Sequence, residues 1–525
     1  MRELVVHELI RHSLLSHADQ EIVSGPVRLT YAAFYERVLR LADGLKKMGV
    51  GRGTVVGVLD VNTHRYLELH YALSMRGAVL HTINFRLPAE EMLYTVRHAG
   101  DEWLFVWEGF REIVEKVRNQ FPNWVWLTDG PDSPSSGSPI YEGLVEEGEA
   151  VEDPSADEVS ETDPFSIFYT TGTTGPPKGV CYRHRDMILA SLQILHHLAL
   201  HEGGARVSSR DVFMPLIPFF HIHGWGMPLF VPYLGAKLVL PGRSGPQEQV
   251  SLISQERVTC MNMVPTQLHM LLDASASSGA RLDGLKILTG GSALPSGLAR
   301  RASEAGLTYS LIYGGSDQLG TSISVVPERM AADGEEGRQE LSRRMRTLPA
   351  VELEIRNETG AVLPRDGRSI GEIWVRSPWL PNGYYKDPER SQASYVGGWF
   401  RTGDLGVLDG EGFLTVLDRD RDAIKSGGEW IASTVVEGLL SEHPKVAMAA
   451  VIPVADERWG ERPMGIIQAR EPVGEEELRE FLQSKAQEGR LARFWIPDRF
   501  VVVETLPLTS AGKLHKAALR KQFAG

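Results

Sequence analysis

The segment richest in reactive groups runs from Tyr169 to Val180, Tyr-Thr-Thr-Gly-Thr-Thr-Gly-Pro-Pro-Lys-Gly-Val. Thr170, Thr171, Thr173 and Thr174 offer hydroxyl donors. Gly172, Gly175 and Gly179 let the backbone bend and expose its amides, and Lys178 adds a positive charge. Donors, bent backbone and a cation together suit phosphate oxygens, because successive amides form an anion-binding concavity. The spacing is not that of a Walker A loop, which needs Gly, four residues, then Gly-Lys-Ser/Thr; here Pro177 stands five places after Gly172. A plain Gly/Thr surface loop is the alternative, and the density of donors weighs against it.

A buried strand over residues 165–169 must lead into that turn. Upstream, helical apolar spacing over 32–48 ends at Gly49-Val-Gly51. An apolar strand run then covers 54–59, a helical pattern 66–76 and a strand 77–83. Strands alternating with helices predict an α/β architecture with parallel strands. Residues 129–163, rich in Pro, Ser, Gly and acids, read as a surface linker. Residues 331–348, dense in both charge signs, read as a solvated helix. From 351 onward the pattern is strand-rich with glycine turns. The charge run 418–422 marks a break, after which 447–454 reads as a strand and 474–488 as a helix.

With 525 residues, and roughly 150 per domain, two or three domains are expected. The net charge of −13 argues against sequence-independent binding of nucleic acid. Two cysteines, Cys181 and Cys260, exclude a disulfide framework and a multi-cysteine metal site, and fit a reduced, cytoplasmic protein. The N-terminus carries charges where a signal peptide needs an apolar run. The apolar region 212–240 is interrupted by Pro215, Pro218, His221, His223, Pro228, Pro232 and Lys237, so no transmembrane segment is expected. The C-terminal Gln-Phe-Ala-Gly carries no lipidation signal.

Further motifs follow the turn in order: Pro218-Phe-Phe-His-Ile-His-Gly-Trp-Gly226, Leu288-Thr-Gly-Gly-Ser-Ala293, Tyr313-Gly-Gly-Ser-Asp317, Gly371-Glu-Ile373 and Gly383-Tyr-Tyr385. Then come Gly398-Trp-Phe-Arg-Thr-Gly-Asp404, Asp418-Arg-Asp-Arg-Asp-Ala-Ile-Lys-Ser-Gly-Gly-Glu-Trp-Ile431 and Pro507-Leu-Thr-Ser-Ala-Gly-Lys513. Over nearly the whole chain this set resembles the adenylate-forming superfamily of acyl-CoA synthetases, beetle luciferases and peptide-synthetase adenylation domains. The resemblance implies a large multi-subdomain N-terminal α/β domain over 1–419 and a small mobile C-terminal α+β domain over 420–525. It implies an enzyme that joins a carboxylic acid to ATP with Mg²⁺, releases pyrophosphate, and passes the acyl group to coenzyme A with release of AMP.

Residue by residue, the resemblance assigns the threonine loop and Lys178 to the β- and γ-phosphates, with Thr170 near the metal. Gly291 and Ser292 would line the nucleotide site, and Tyr313, followed by Gly314, would stack on adenine, where an aromatic face suits a flat heterocycle. A buried tyrosine with a satisfied hydroxyl is the bland alternative for Tyr313. Ser316 replaces the usual Thr, and Asp317 the usual Glu that binds Mg²⁺; a hard cation accepts either carboxylate. Leu311 stands where many relatives carry an amide facing adenine. Asp404 would accept from the ribose hydroxyls, with Val416 and Arg419 beside it. Lys513 would hold the carboxylate and α-phosphate together.

Arg421 is the implied pivot of the C-terminal domain, bringing Lys425, Gly427 and Gly428 to the pantetheine arm after rotation. His221 would face the acid's carboxylate and Trp225 would gate an acyl tunnel; both are otherwise wall residues of an apolar pocket. Gly290, Gly315 and Gly224 are small where bulk would close the pocket. A medium- or long-chain fatty acid is the expected substrate, with an aryl or branched acid, or a carrier protein in place of CoA, as alternatives. An inactive nucleotide-binding sensor is the reading that Ser316 and Asp317 could support. Relatives are often homodimers.

Overall fold

A computed structural model describes residues 3–115, 123–128, 140–151, 158–170, 175–201, 203–325, 344–427, 429–509 and 513–524. Three sheets organise them. The first has six strands in the order Trp124–Leu127, Trp103–Trp107, Val55–Leu59, Val79–Thr82, Pro164–Thr170 and Lys178–Arg183, parallel except for the last pair. Val55–Leu59 is buried throughout, as expected of a parallel strand covered on both faces. Its covering helix Tyr31–Lys47 is capped by Thr30, whose hydroxyl accepts from the Ala33 amide. That helix buries Tyr31, Phe34, Val38, Leu41 and Leu45 at helical spacing. The neighbouring helix His64–Met75, capped by Thr63, is buried at every residue.

The second sheet has fourteen strands. Its parallel centre is Thr308–Gly315, Lys286–Gly290, Cys260–Met263, Val212–Pro215 and Lys237–Leu240. The N-terminal hairpin Glu21–Ser24/Val27–Thr30 closes one side of it by parallel pairing onto Lys237–Leu240. The strand-rich stretch from 351 to 419 is not a separate unit: it continues this sheet through Met345–Thr347. The third sheet has five strands, all within residues 424–503. It is antiparallel apart from Arg499–Val503, which pairs in parallel with Gly460–Ala469.

Helices and strands read from periodicity occur where expected, with Val446–Asp456 and Glu475–Gln487 near the C-terminus. Two readings are corrected. Residues 345–347, taken as part of a solvated helix, form a strand bonded on both sides. Open strand edges at Leu319–Ser324 and Phe413–Arg419 outweigh the local charge pattern, and Arg344 is neutralised by Asp409 and Glu411; residues 331–343 lie outside those described. Within the expected linker, Tyr141–Glu147 is a helix against Tyr31–Lys47. Tyr141 is fully buried there and donates its hydroxyl to Glu68.

Cys181 and Cys260 are free, with both thiols pushed up to about 12 by burial. Among the described residues no helix is long and apolar enough to cross a membrane.

Candidate active site

A cleft of about 590 Å³ is lined by both the second sheet and the C-terminal unit. The strands on either side of the threonine turn form an antiparallel pair, Pro164–Thr170 with Lys178–Arg183, in which Thr170 lies opposite Lys178 and both line the cleft. Residues 171–174, and so Thr171, Gly172, Thr173 and Thr174, lie outside those described, as does Gly428. Gly175 turns back at φ +82°, a conformation natural to glycine. Lys178 donates to the Tyr384 hydroxyl at 2.6 Å and lies 3.9 Å from Asp317 Oδ1. Burial pulls its ammonium below the ordinary lysine range, with Asp317 opposing. Tyr384 was not singled out from sequence, although it lies inside the Gly383-Tyr-Tyr385 motif.

Two buried oxygens in this corner have no hydrogen-bond partner: Thr170 Oγ1 and Asp317 Oδ1. Orphaned buried acceptors are costly unless something positive meets them. A hydroxyl and a carboxylate are hard oxygen donors of the kind Mg²⁺ takes, so these residues fit that ion, with phosphates supplying the remaining positions. No group of three or more His, Cys, Asp or Glu poised to hold a metal occurs among the described residues. The Asp317 carbonyl accepts from Tyr395 and the Ser316 carbonyl from Tyr182, which fixes this turn's backbone.

Tyr313 ends up between the two sequence readings. Its ring lines the cleft, while its hydroxyl donates to Asp404 Oδ2 at 2.8 Å. Asp404 Oδ1 receives Arg419 Nε at 2.8 Å, and Asp404 raises the Arg419 pKa. Each carboxylate oxygen keeps a free lone pair for a further donor. Val416 packs against the same hydrophobic cluster as Tyr313 and lines the cleft with it. The Leu311 amide donates to Ser324 Oγ. Gly314 is obligatory for packing, since a Cβ there would sit 2.2 Å from the Leu319 carbonyl; at Gly290 the Ile312 carbonyl is 2.3 Å away. Gly315 is open, with only Gln318 Nε2 at 3.9 Å. Gly224 is not: Phe219 and the Ile217 carbonyl fill its Cβ direction, so it adds no pocket volume as was expected.

Lys513 reaches this cleft. Its backbone is tied to Thr509 by two hydrogen bonds, Thr509 N–H to Lys513 O at 2.7 Å and Lys513 N–H to Thr509 Oγ1 at 3.2 Å. Three residues on, buried Lys516 pairs with Glu437 Oε1 at 2.7 Å, whose carboxyl burial nevertheless pushes up to about 7. The Lys513 side chain extends over Gly291, where a Cβ would lie 3.2 Å from Cε. Burial pulls its ammonium down to about 8, with Arg419 and Arg421 adding to the effect and Asp404 opposing it. Arg421 and Ser292 line the same cleft. Lys425 and Gly427 do not: Lys425 pairs with Glu358 at 2.7 Å, and Gly427, at φ +60°, lies under Trp459.

His221 lines the same cleft as Lys513. Burial, then Lys513 and Arg86, holds its imidazole down at about 3, so it is neutral. Arg86 was missed by sequence reading; no motif marked it. After His221 the chain makes a left-handed turn, with φ of 49°, 46°, 55° and 58° at Ile222, His223, Gly224 and Trp225. Three non-glycine residues in this region cost roughly 1–2 kcal/mol each. Buried polar groups hold them there. Asn262 Nδ2 donates to the Gly224 carbonyl at 2.8 Å. His223 sits in a chain from Tyr66 O through His70 to Ser166 Oγ, every link 2.7–2.8 Å. Because a carbonyl only accepts, His70 Nδ1 carries the proton. His223 Nδ1 then donates to His70, and Ser166 donates to His223 Nε2. Trp225, buried, is thereby presented to the cleft beside Met187, Ala190 and Ile194 of the helix His184–Leu200.

The chain is similar to known proteins over nearly its whole length. Residues 10–385 match the family described as AMP-binding enzyme, and residues 435–513 match the AMP-binding enzyme C-terminal domain. The long-chain-fatty-acid–CoA ligase of Thermus thermophilus is 36% identical, over 99% of this chain and 96% of its own. The 3-methylmercaptopropionyl-CoA ligase of Ruegeria lacuscaerulensis is also 36% identical, over 99% and 97%. Among solved structures, the anthranilate CoA ligase AuaEII in complex with anthranoyl-AMP superposes with a TM-score of 0.87 at 23% identity, covering 99% of this chain and 97% of that one, which speaks to the fold.

Proposed function

Since the chain belongs to the AMP-binding enzyme family, we propose that it is an AMP-forming acyl-CoA synthetase acting on a medium- or long-chain fatty acid. The observation that carries this reading is the position of Lys513. A cation from the C-terminal unit, residues 420–525, lies over Gly291 in a cleft of the larger body, residues 1–419, with Arg419 paired to Asp404 nearby.

ATP would lie with its adenine against Tyr313 and Gly314, its ribose hydroxyls donating to Asp404, and its β- and γ-phosphates against the 170–175 turn and Lys178. Mg²⁺, held by Thr170 and Asp317, would neutralise polyphosphate charge. An oxygen of the acid's carboxylate bonds to the α-phosphorus and the bond to the β-phosphate bridge breaks, so pyrophosphate leaves. Lys513 donates to the oxygens whose charge grows at the α-phosphorus, which lowers the barrier because the donor is already in place. Neutral His221 orients the carboxylate without competing for its charge. In the second step the CoA sulfur bonds to the acyl carbon and AMP leaves. Arg421 would be the pivot that removes Lys513 and brings Lys425, Gly427 and Gly428 to the pantetheine arm.

The alkyl chain would run between Trp225 and Ile194. A second reading, an aryl or branched acid, is favoured by the open space at Gly315. ATP–pyrophosphate exchange over acids of varied length and ring content separates the two. The Lys513→Ala variant should lose exchange yet still convert added acyl-adenylate to thioester with CoA. Exchange near the wild-type rate in that variant overturns the assignment. Zero exchange for every acid with ATP still bound would instead favour a nucleotide sensor.

A further inference from the structure

The two bodies of this chain meet at the start of the helix Ser296–Glu304, which packs against the helix Ser433–Leu440 of the C-terminal unit. The contact brings the Gly297 backbone against the Ser441 backbone and is tied by two hydrogen bonds. The Gly297 amide donates to Ser441 Oγ at 2.9 Å, and Ser441 in turn donates to the Gly438 carbonyl. Arg300 Nη2 reaches the Glu442 carbonyl at 3.4 Å. The Glu442 carboxylate is held below its ordinary range; burial opposes this, and hydrogen bonds from Arg490 and Ser296 cause it. A Cβ placed on Gly297 would stand 2.0 Å from the Ser441 carbonyl oxygen, 2.5 Å from its carbon and 3.0 Å from the Glu442 nitrogen. None of these is a flexible side-chain end. Two helix ends cannot give way by that distance without the units moving apart.

We propose that Gly297 is a positioning residue: its missing side chain is the latch surface on which the C-terminal unit seats in the arrangement that delivers Lys513 to the cleft. The inference rests on the reading of Lys513 as the adenylation residue. Gly297 is remote from the chemistry in sequence but belongs to the same lined cleft as Lys513 and Ser441. Its backbone is ordinary helix, so no left-handed conformation demands a glycine there. Glycine inside a helix is intrinsically unfavourable relative to alanine. A glycine that costs helix stability at a position of normal backbone, with another body's carbonyl in its Cβ direction, is explained by the docking. Acyl transfer to CoA needs Lys513 out of the way and so does not need this contact.

The test compares Gly297→Ala, Gly297→Val and Lys513→Ala with the wild-type full chain in the two half-reactions. ATP–pyrophosphate exchange should fall about tenfold or more in Gly297→Ala and further in Gly297→Val, since the docked population drops. Thioester formation from added acyl-adenylate and CoA should stay within about twofold of wild type, and the melting temperature should be unchanged or higher, as helix propensity predicts. Labelling of the Lys513 amine by an acylating reagent, followed by mass spectrometry, should speed up in both Gly297 variants. Wild-type exchange in Gly297→Ala together with lost exchange in Lys513→Ala overturns the latch and leaves the catalytic reading standing. Retained exchange in Lys513→Ala removes both. Equal losses in the two half-reactions, or a lowered melting temperature, overturn the latch in favour of a folding role.

Discussion

The charge on Lys513 sets a pH limit on acyl-adenylate formation. Its ammonium is pulled from an ordinary 10.5 to about 8. If the charged form is required, about nine enzymes in ten carry it at pH 7 and about one in ten at pH 9, whereas an unperturbed lysine would be charged throughout. The alkaline limb of kcat/KM for exchange should therefore begin near pH 8 and fall about tenfold per pH unit, since that ratio reports the free enzyme. The limb of kcat should lie higher, because bound polyphosphate favours the cation. Linkage runs the other way. The seated lysine binds fewer protons than the unfolded chain between pH 8 and 10.5, so seating it charged costs about 3 kcal/mol below pH 8, a cost that diminishes as pH rises towards 10.5. Occupancy of the docked state thus rises with pH while its catalytic charge disappears. The assay is exchange with a saturated straight-chain acid from pH 6 to 10 in wild type and in Lys513→Arg, whose guanidinium keeps its charge. The variant should be slower but flat. A wild-type profile level beyond pH 9 refutes the reasoning. So does a limb that persists in Lys513→Arg, which would belong to Lys178, whose ammonium burial also lowers.

Two further outcomes follow from contacts in the cleft. Asp404→Asn removes the charge partner of Arg419 and weakens the acceptor of the Tyr313 hydroxyl. KM for ATP in exchange should rise about ten- to hundredfold, corresponding to roughly 1–3 kcal/mol, with melting little changed; an unaltered KM would mean that Asp404 does not face the nucleotide. Gly315→Leu fills open space, with only Gln318 Nε2 near its Cβ, so the protein should fold normally and lose kcat/KM about tenfold or more for the longest or bulkiest acids while short acids are spared. Uniform loss across the acid panel would place Gly315 outside the acyl path.

Much of this protein was legible along the chain because it depends on local order. The helix over 31–47 and the strand over 55–59 announce themselves by apolar spacing, since a helix has one buried stripe and a parallel strand two buried faces. The threonine turn suits a phosphate by its residue types, whereas the roles expected of Tyr313, Asp404 and Lys513 rest on the ordered set of motifs that resembles the adenylate-forming superfamily. Tyr384 was legible in position but not in role, because only the tertiary contact of its loop with the strand Lys178–Arg183, through the Tyr385 amide to the Gly179 carbonyl, brings it to Lys178. The helix Tyr141–Glu147 and the strand Met345–Thr347 were hidden by charged surroundings, and partners supplied from elsewhere outweighed their local patterns.

What sequence by itself determined is which groups are available and in what order they occur, because residue chemistry and short-range periodicity are properties of the chain. Tertiary structure alone decided that Lys513 sits over Gly291, that Ile222 to Trp225 are held left-handed by Asn262 and His223, that Gly224 is filled while Gly315 is open, and that Gly297 meets Ser441. The contacts of Lys513 with Gly291, of Asn262 with Gly224 and of Gly297 with Ser441 join atoms far apart in the chain. Such contacts are set by how whole sheets and helices close-pack, which no window of sequence contains.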